Sequence, residues 1–154
     1  MATPTFDDFD HEAHMRRAFD LAREAIERGD EPFGTVLVRD DEVVMADSNR
    51  INTEDDLRRH PELTLAARAA SEWDPDIRAE TVKYTSTEPC PMCAGGMLQA
   101  GLGRVVYSVS GDEIAEITGR NVSVRSATIL DGITEVVGPV LNDEGRAVHA
   151  EYGW

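Results

Sequence analysis

The stretch TEPCPMCAGG, Thr87 to Gly96, holds both cysteines of the chain, Cys90 and Cys93, each preceded by a proline. Three chemistries use two thiols at this spacing: a disulfide, a redox pair, or part of a metal site. A disulfide across two residues is unfavourable in an unstrained helix, and two cysteines are too few for a secreted disulfide scaffold. A redox pair also sits at a helix start, where the helix dipole favours thiolate. In the thioredoxin-like arrangement, however, it follows a first strand, whereas here it follows the third strand-like segment. A metal site needs a third protein donor, and a catalytic one keeps a fourth position open. His60 is the best supplier of that donor, and a carboxylate, Glu62, follows two residues later.

The surrounding pattern tells where these residues fall. Ala18, Phe19, Ala22, Ala25 and Ile26 recur at helical spacing within Phe9 to Arg28, with Gly29 as the stop. Residues 35–39 and 42–47 flank Asp40–Asp41 and predict a β-hairpin. The polar run 49–59 predicts a loop, and Pro61 opens a helix toward Trp73. Residues 81–87 predict a strand that Pro89 stops, 91–100 a helix closed near Gly101, and 104–110 another strand. Residues 111–128 have no clear pattern; 133–138 predict a weaker strand and 141–152 a closing helix. After the hairpin, helices alternate with strands, which predicts a mixed, partly parallel sheet with helices on both faces. Ligands of such sheets bind beyond the carboxyl ends of strands, where helices begin. His60 stands at one such start, and Cys90 and Cys93 stand at another.

The 154 residues suit a single domain spanning 1–154. No apolar run approaches a membrane span, and the first fifteen residues are acidic without a signal-like core, so a cytoplasmic protein is expected. Thirty acidic residues face fifteen basic ones, a formal charge of −15, and of those bases only Lys83 is a lysine. Such self-repulsion suggests a halophilic protein whose charge is screened by high salt. It also makes nucleic acid an unlikely partner.

H-P-E at 60–62 followed by P-C-P-M-C at 89–93 resembles the zinc-dependent cytidine and deoxycytidylate deaminase superfamily, whose signature is H-x-E then P-C-x-x-C. TSTEPCPMCAGGM, Thr85 to Met97, is similar to the second motif of its guanine deaminase and tRNA adenosine deaminase branches. The resemblance runs from about Pro32 to Tyr107. It implies a three-layer α/β/α cytidine deaminase-like fold around a five-stranded mixed sheet. It also implies one Zn2+ per chain on His60, Cys90 and Cys93, with Glu62 as the catalytic acid/base that moves protons beside the metal. Hydrolytic removal of an exocyclic amino group from a small nitrogen heterocycle follows, a guanine-like purine first, in a homodimer. Asn49 matches a substrate-contacting asparagine, Phe33 belongs to a run near the site, and Glu88 and Trp154 are further substrate-side candidates.

Pro61 departs from the family pattern. In relatives the amide at this position donates to the bound base, and proline has no N–H. Cytosine-type ligands, whose carbonyl uses that amide, therefore look less favoured. An acidic residue that recognises the purine in guanine deaminases has no clean counterpart here; Asp112, Glu113 and Glu116 match only loosely. Bland readings stand beside these. His11 and His14 read as solvent-facing and His149 as a half-buried helix residue. The sequon at 121–123 reads as chance. The rival functions are deamination of cytosine or another amino-heterocycle, deamination of tRNA adenosine, and a noncatalytic zinc-stabilised binding module.

Overall fold

The computed structural model describes residues 5–121 and 124–154; the 121–123 sequon therefore lies partly outside the described residues. Five strands form one sheet in the order β2-β1-β3-β4-β5: β1 Gly34–Arg39, β2 Glu42–Ser48, β3 Val82–Thr87, β4 Arg104–Val109 and β5 Glu135–Val137. The pairs β1/β2 and β1/β3 are antiparallel, while β3/β4 and β4/β5 are parallel, so the sheet is mixed as expected. Asp40 and Asp41 both take positive φ, 52° and 61°, and make the two-residue turn between β1 and β2. That left-handed pair matches the twist of the hairpin, and aspartate tolerates it better than most residues.

The helices are α1 His11–Arg28, α2 Pro61–Glu72, α3 Pro75–Ala79, α4 Pro91–Ala100, α5 Gly111–Thr118, α6 Ser126–Ile129 and α7 Asn142–Tyr152. They cover both faces of the sheet. Val36, Val38, Val82, Tyr84 and Val106 pack with Met15, Phe19 and Ala22 of α1 and Val148 of α7. The alternate residues Leu37 and Val105 pack instead with Leu65 and Ala69 of α2, and with Ala94 and Met97 of α4. Each strand thus splits its side chains between two cores. Gly34 allows α1 to lie directly on β1: a Cβ there would stand 2.1 Å from the Ala18 carbonyl oxygen.

Residues 111–128, without a clear sequence pattern, hold α5 and most of α6, which fill the gap between β4 and β5. One expectation needs correction. His11 and His14 do not face solvent. His14 is buried with Nε2 2.7 Å from Asp41, and His11 Nδ1 lies 2.6 Å from the Tyr84 hydroxyl. Asp41 of the hairpin turn covers His14, and Tyr84 of β3 meets His11. The 49–59 loop is tied down by Asp30, which is fully enclosed and accepts from Arg28, from the amides of Asn52 and Thr53, and from the Thr53 hydroxyl. Burial works against its charge, but these four donors hold its pKa below the usual value. Among the described residues no helix is long and apolar enough to cross a membrane.

Candidate active site

Two prolines set the geometry. Pro61 and Pro91 occupy the first helical positions of α2 and α4. A residue before proline is pushed to extended backbone. His60 (φ −80°, ψ 132°) and Cys90 (φ −68°, ψ 168°) adopt that conformation as N-caps. Their side chains leave the two helix starts and converge, with Cys93 added from the first turn of α4. His60 Nδ1 and Cys90 Sγ are 3.6 Å apart, and one donor atom from each of the three residues lies within 4.8 Å of the others. Bond lengths of about 2.3 Å to sulfur and 2.0 Å to nitrogen give a tetrahedral edge of roughly 3.5 Å. One imidazole nitrogen and two thiol sulfurs at this separation could hold a metal ion.

The two thiols differ. Cys90 is drawn down to about 4, first by the Cys93 side chain and then by His60. Cys93 is raised well above the ordinary thiol value, first by the same contact with Cys90 and then by burial. Near neutral pH the two thiols therefore share one proton. Burial works against charge on His60, but Cys90 and Glu62 raise its pKa.

Glu62 sits in the first turn of α2, beside the cluster and not part of it, and is 4% exposed. Burial raises its pKa. Oε1 accepts from the Thr35 hydroxyl at 3.0 Å and from the Thr85 hydroxyl at 3.3 Å. Thr35 and Thr85 are register partners across β1 and β3, so the sheet presents both hydroxyls at one point. Lys83, two residues along β3 on the same face, donates from Nζ to the Glu62 carbonyl oxygen at 2.5 Å. The sequence reading missed Thr35, Lys83 and Thr85; a single lysine inside a strand-like run was the available signal.

His60, Glu62 and Cys90 stand at a cavity of about 240 Å³. Its other walls include Phe33, Pro89, Pro91, Ile114, Thr118, Arg120 and Asn121, so the segment without a sequence pattern supplies one side. Phe33 lines the cavity as expected. Trp154 does not line it but touches two residues that do: its ring is 6.3 Å from that of Phe33, and the Arg120 guanidinium lies 4.8 Å over it. Arg120 is also paired to Glu31 at 2.8 Å. Trp154 Nε1 donates to Nδ1 of His149, whose Nε2 faces the Thr87 hydroxyl at 2.8 Å. His149 is thus a buried, fully engaged residue, not a half-buried one.

Glu88 borders the cavity, but its carboxylate serves the chain. It accepts from the Gly111 amide, Arg125 and the Ser126 hydroxyl, fixing the starts of α5 and α6. Asn49 is fully buried; Oδ1 accepts from the Ile51 amide, and Nδ2 has no partner among the described residues. Pro61 is buried at the start of α2.

A three-donor cluster with a separate enclosed carboxylate thus stands at the starts of α2 and α4, a donor set that could hold a metal ion and leave a position open. Residues 9–137 match the MafB19-like deaminase family, and the chain belongs to that family. It is 32% identical to a probable cytosine deaminase of Schizosaccharomyces pombe, over 89% of this chain and 88% of the relative. It is 34% identical to the guanine deaminase of Bacillus subtilis, over 69% of each. The guanine deaminase structure from Nitrosomonas europaea shares its fold, with a TM-score of 0.75, 24% identity, and coverage of 92% of this chain and 83% of that one. The chain is an aminohydrolase of the cytidine deaminase superfamily.

Proposed function

We propose that this chain deaminates a free, guanine-like purine hydrolytically, using one Zn2+ per chain, as a single-domain cytoplasmic homodimer. The observation that carries the reading is Glu62: an enclosed carboxylate, outside the donor cluster, at the end of a small cavity. A purely structural metal site takes four protein ligands and needs no such group. Zinc, which His60, Cys90 and Cys93 would hold, would supply a water activated near neutral pH. Glu62 takes one proton of the water as its oxygen bonds to the amine-bearing ring carbon and delivers that proton to the ring nitrogen; it then carries the second proton, from the new hydroxyl, to the amino group as the C–N bond breaks and ammonia leaves. Its raised pKa suits both acceptance and return of the proton. The starts of α2 and α4 direct partial positive charge at the same point.

The cavity volume, below the roughly 300–1,000 Å³ of sites for drug-sized ligands, suits one small heterocycle. Phe33 supplies an apolar wall; Asn49, the other expected substrate contact, is buried outside the cavity lining with its Nδ2 unpartnered among the described residues. The cytosine reading draws support from the Schizosaccharomyces pombe relative. Pro61 speaks against it, since a carbonyl left without its donor costs about 1–3 kcal/mol.

The test is ammonia release in molar KCl from guanine, cytosine, adenine, their nucleosides, amino-triazines and pterins, with Glu62→Gln in parallel. Release from guanine that disappears in Glu62→Gln, with zinc retained, is expected. Preference for cytosine overturns the substrate assignment, and undiminished turnover in Glu62→Gln overturns the mechanism.

A further inference from the structure

Lys83 is the only lysine among fifteen basic residues, and it is fully enclosed. Its neighbours Val82 and Tyr84 face α1, so Lys83 points to the opposite side of β3, under the first turn of α2. Across the β1/β3 pair it stands opposite Leu37, and its β4 partner is Val105; both are packed in an apolar core. Leucine or methionine would fill that position without burying a charge. Every other cation of the chain is an arginine, and this one is not at the surface, so solubility does not account for it. An enclosed ammonium is strongly disfavoured unless it is paired and hydrogen-bonded.

Its partners lie in the site. Nζ donates to the Glu62 carbonyl oxygen, and the Glu62 carboxylate favours its charged form. Burial lowers its pKa to about 8, which leaves it charged at neutral pH.

We propose that Lys83 is a positioning residue for the deamination step: its ammonium holds the Glu62 backbone from below, while Thr35 and Thr85 hold the carboxylate. The three side chains come from facing positions of β1 and β3, so the sheet fixes the proton carrier at both ends. This rests on Glu62 being the proton carrier in the function proposed above.

Two variants of the zinc-loaded protein test it, Lys83→Met, which removes donor and charge, and Lys83→Gln, which keeps a donor without charge. Expected in Lys83→Met is a loss in kcat of about tenfold to a hundredfold per zinc-loaded chain, with KM changed less than about threefold. Lys83→Gln is expected to fall between it and the wild type. Wild-type kcat in both variants, or a loss confined to KM, overturns the proposal. A second measurement needs neither turnover nor a folded Lys83 variant. With a single lysine, protein grown on 15N-lysine gives one side-chain nitrogen signal. An ammonium with slowly exchanging protons that shifts in Glu62→Gln is expected; a signal indifferent to Glu62→Gln overturns the proposal. If the wild type turns over no base at all, the function reading fails, while this signal still decides the placement of Lys83.

Discussion

The Thr35 hydroxyl donates to Oε1 of Glu62 across 3.0 Å, from the central part of the sheet to the start of α2. Thr35 is fully buried, and its other neighbour is the Thr85 hydroxyl, also at 3.0 Å. Replacing it by valine keeps the shape and removes the donor. A hydrogen bond to a charged group contributes about 1.5–3 kcal/mol. Thr35→Val should therefore lower kcat by roughly tenfold, with zinc content unchanged, in steady-state assays on the base identified for the wild type. Unaltered kcat would show that Thr85 alone suffices to hold the carboxylate.

Metal uptake should release protons. Cys90 is largely ionised near neutral pH, whereas Cys93 retains its proton because of Cys90 and burial. A metal binds thiolate, so loading must displace the Cys93 proton. Titrating zinc into metal-free protein in weak buffer should acidify the solution by at least one proton per chain, from Cys93 and from whatever fraction of His60 is protonated, and affinity should rise with pH. Cys93→Ser should weaken binding and reduce that release.

His149 gives a stability signature. Burial depresses its pKa to about 4, against about 6.5 for an exposed histidine. The neutral imidazole is the folded form, accepting from Trp154 at Nδ1 and donating to Thr87 from Nε2. Its contribution is complete above pH 6.5 or so, and is lost as the pH falls toward about 4, because only the unfolded chain gains the proton. The loss is on the order of 3 kcal/mol. Melting temperatures of wild type and His149→Gln across this window should converge as the pH drops. Parallel curves would contradict the assignment.

Salt should stabilise the fold. With a formal charge of −15, repulsion opposes compaction in dilute buffer, and screening shortens its reach to about 3 Å at molar ionic strength. The melting temperature should climb between low and molar KCl. A flat or falling curve would remove the halophile reading.

The starts of the site helices were legible because proline marks them: His60-Pro61 and Cys90-Pro91 state both the helix start and the extended backbone of the residue before it. The β1/β2 hairpin was legible for a similar local reason at Asp40–Asp41. Lys83 was not. Alternation within 81–87 treats a lysine as a solvent-facing residue, but β3 is a central strand covered by helices on both faces, so neither face meets water. The short helices α5 and α6 were equally hidden, because what fixes their starts is the carboxylate of Glu88, 23 residues before Gly111 and 38 before Ser126. His14 reads as surface until the distant Asp41 is folded over it. What local pattern conveys is where elements begin; what it omits is which distant side chain closes them.

The enclosure of Lys83 also gives the folded protein an unusual outer chemistry. Every side-chain cation on its surface is a guanidinium, and the one ε-amine is out of reach. Amine-directed dyes, cross-linkers and coupling resins will therefore find no side chain to attack while the fold holds. The same reagents become a sensitive report of its opening, since the single lysine they could reach is the one beneath the candidate site.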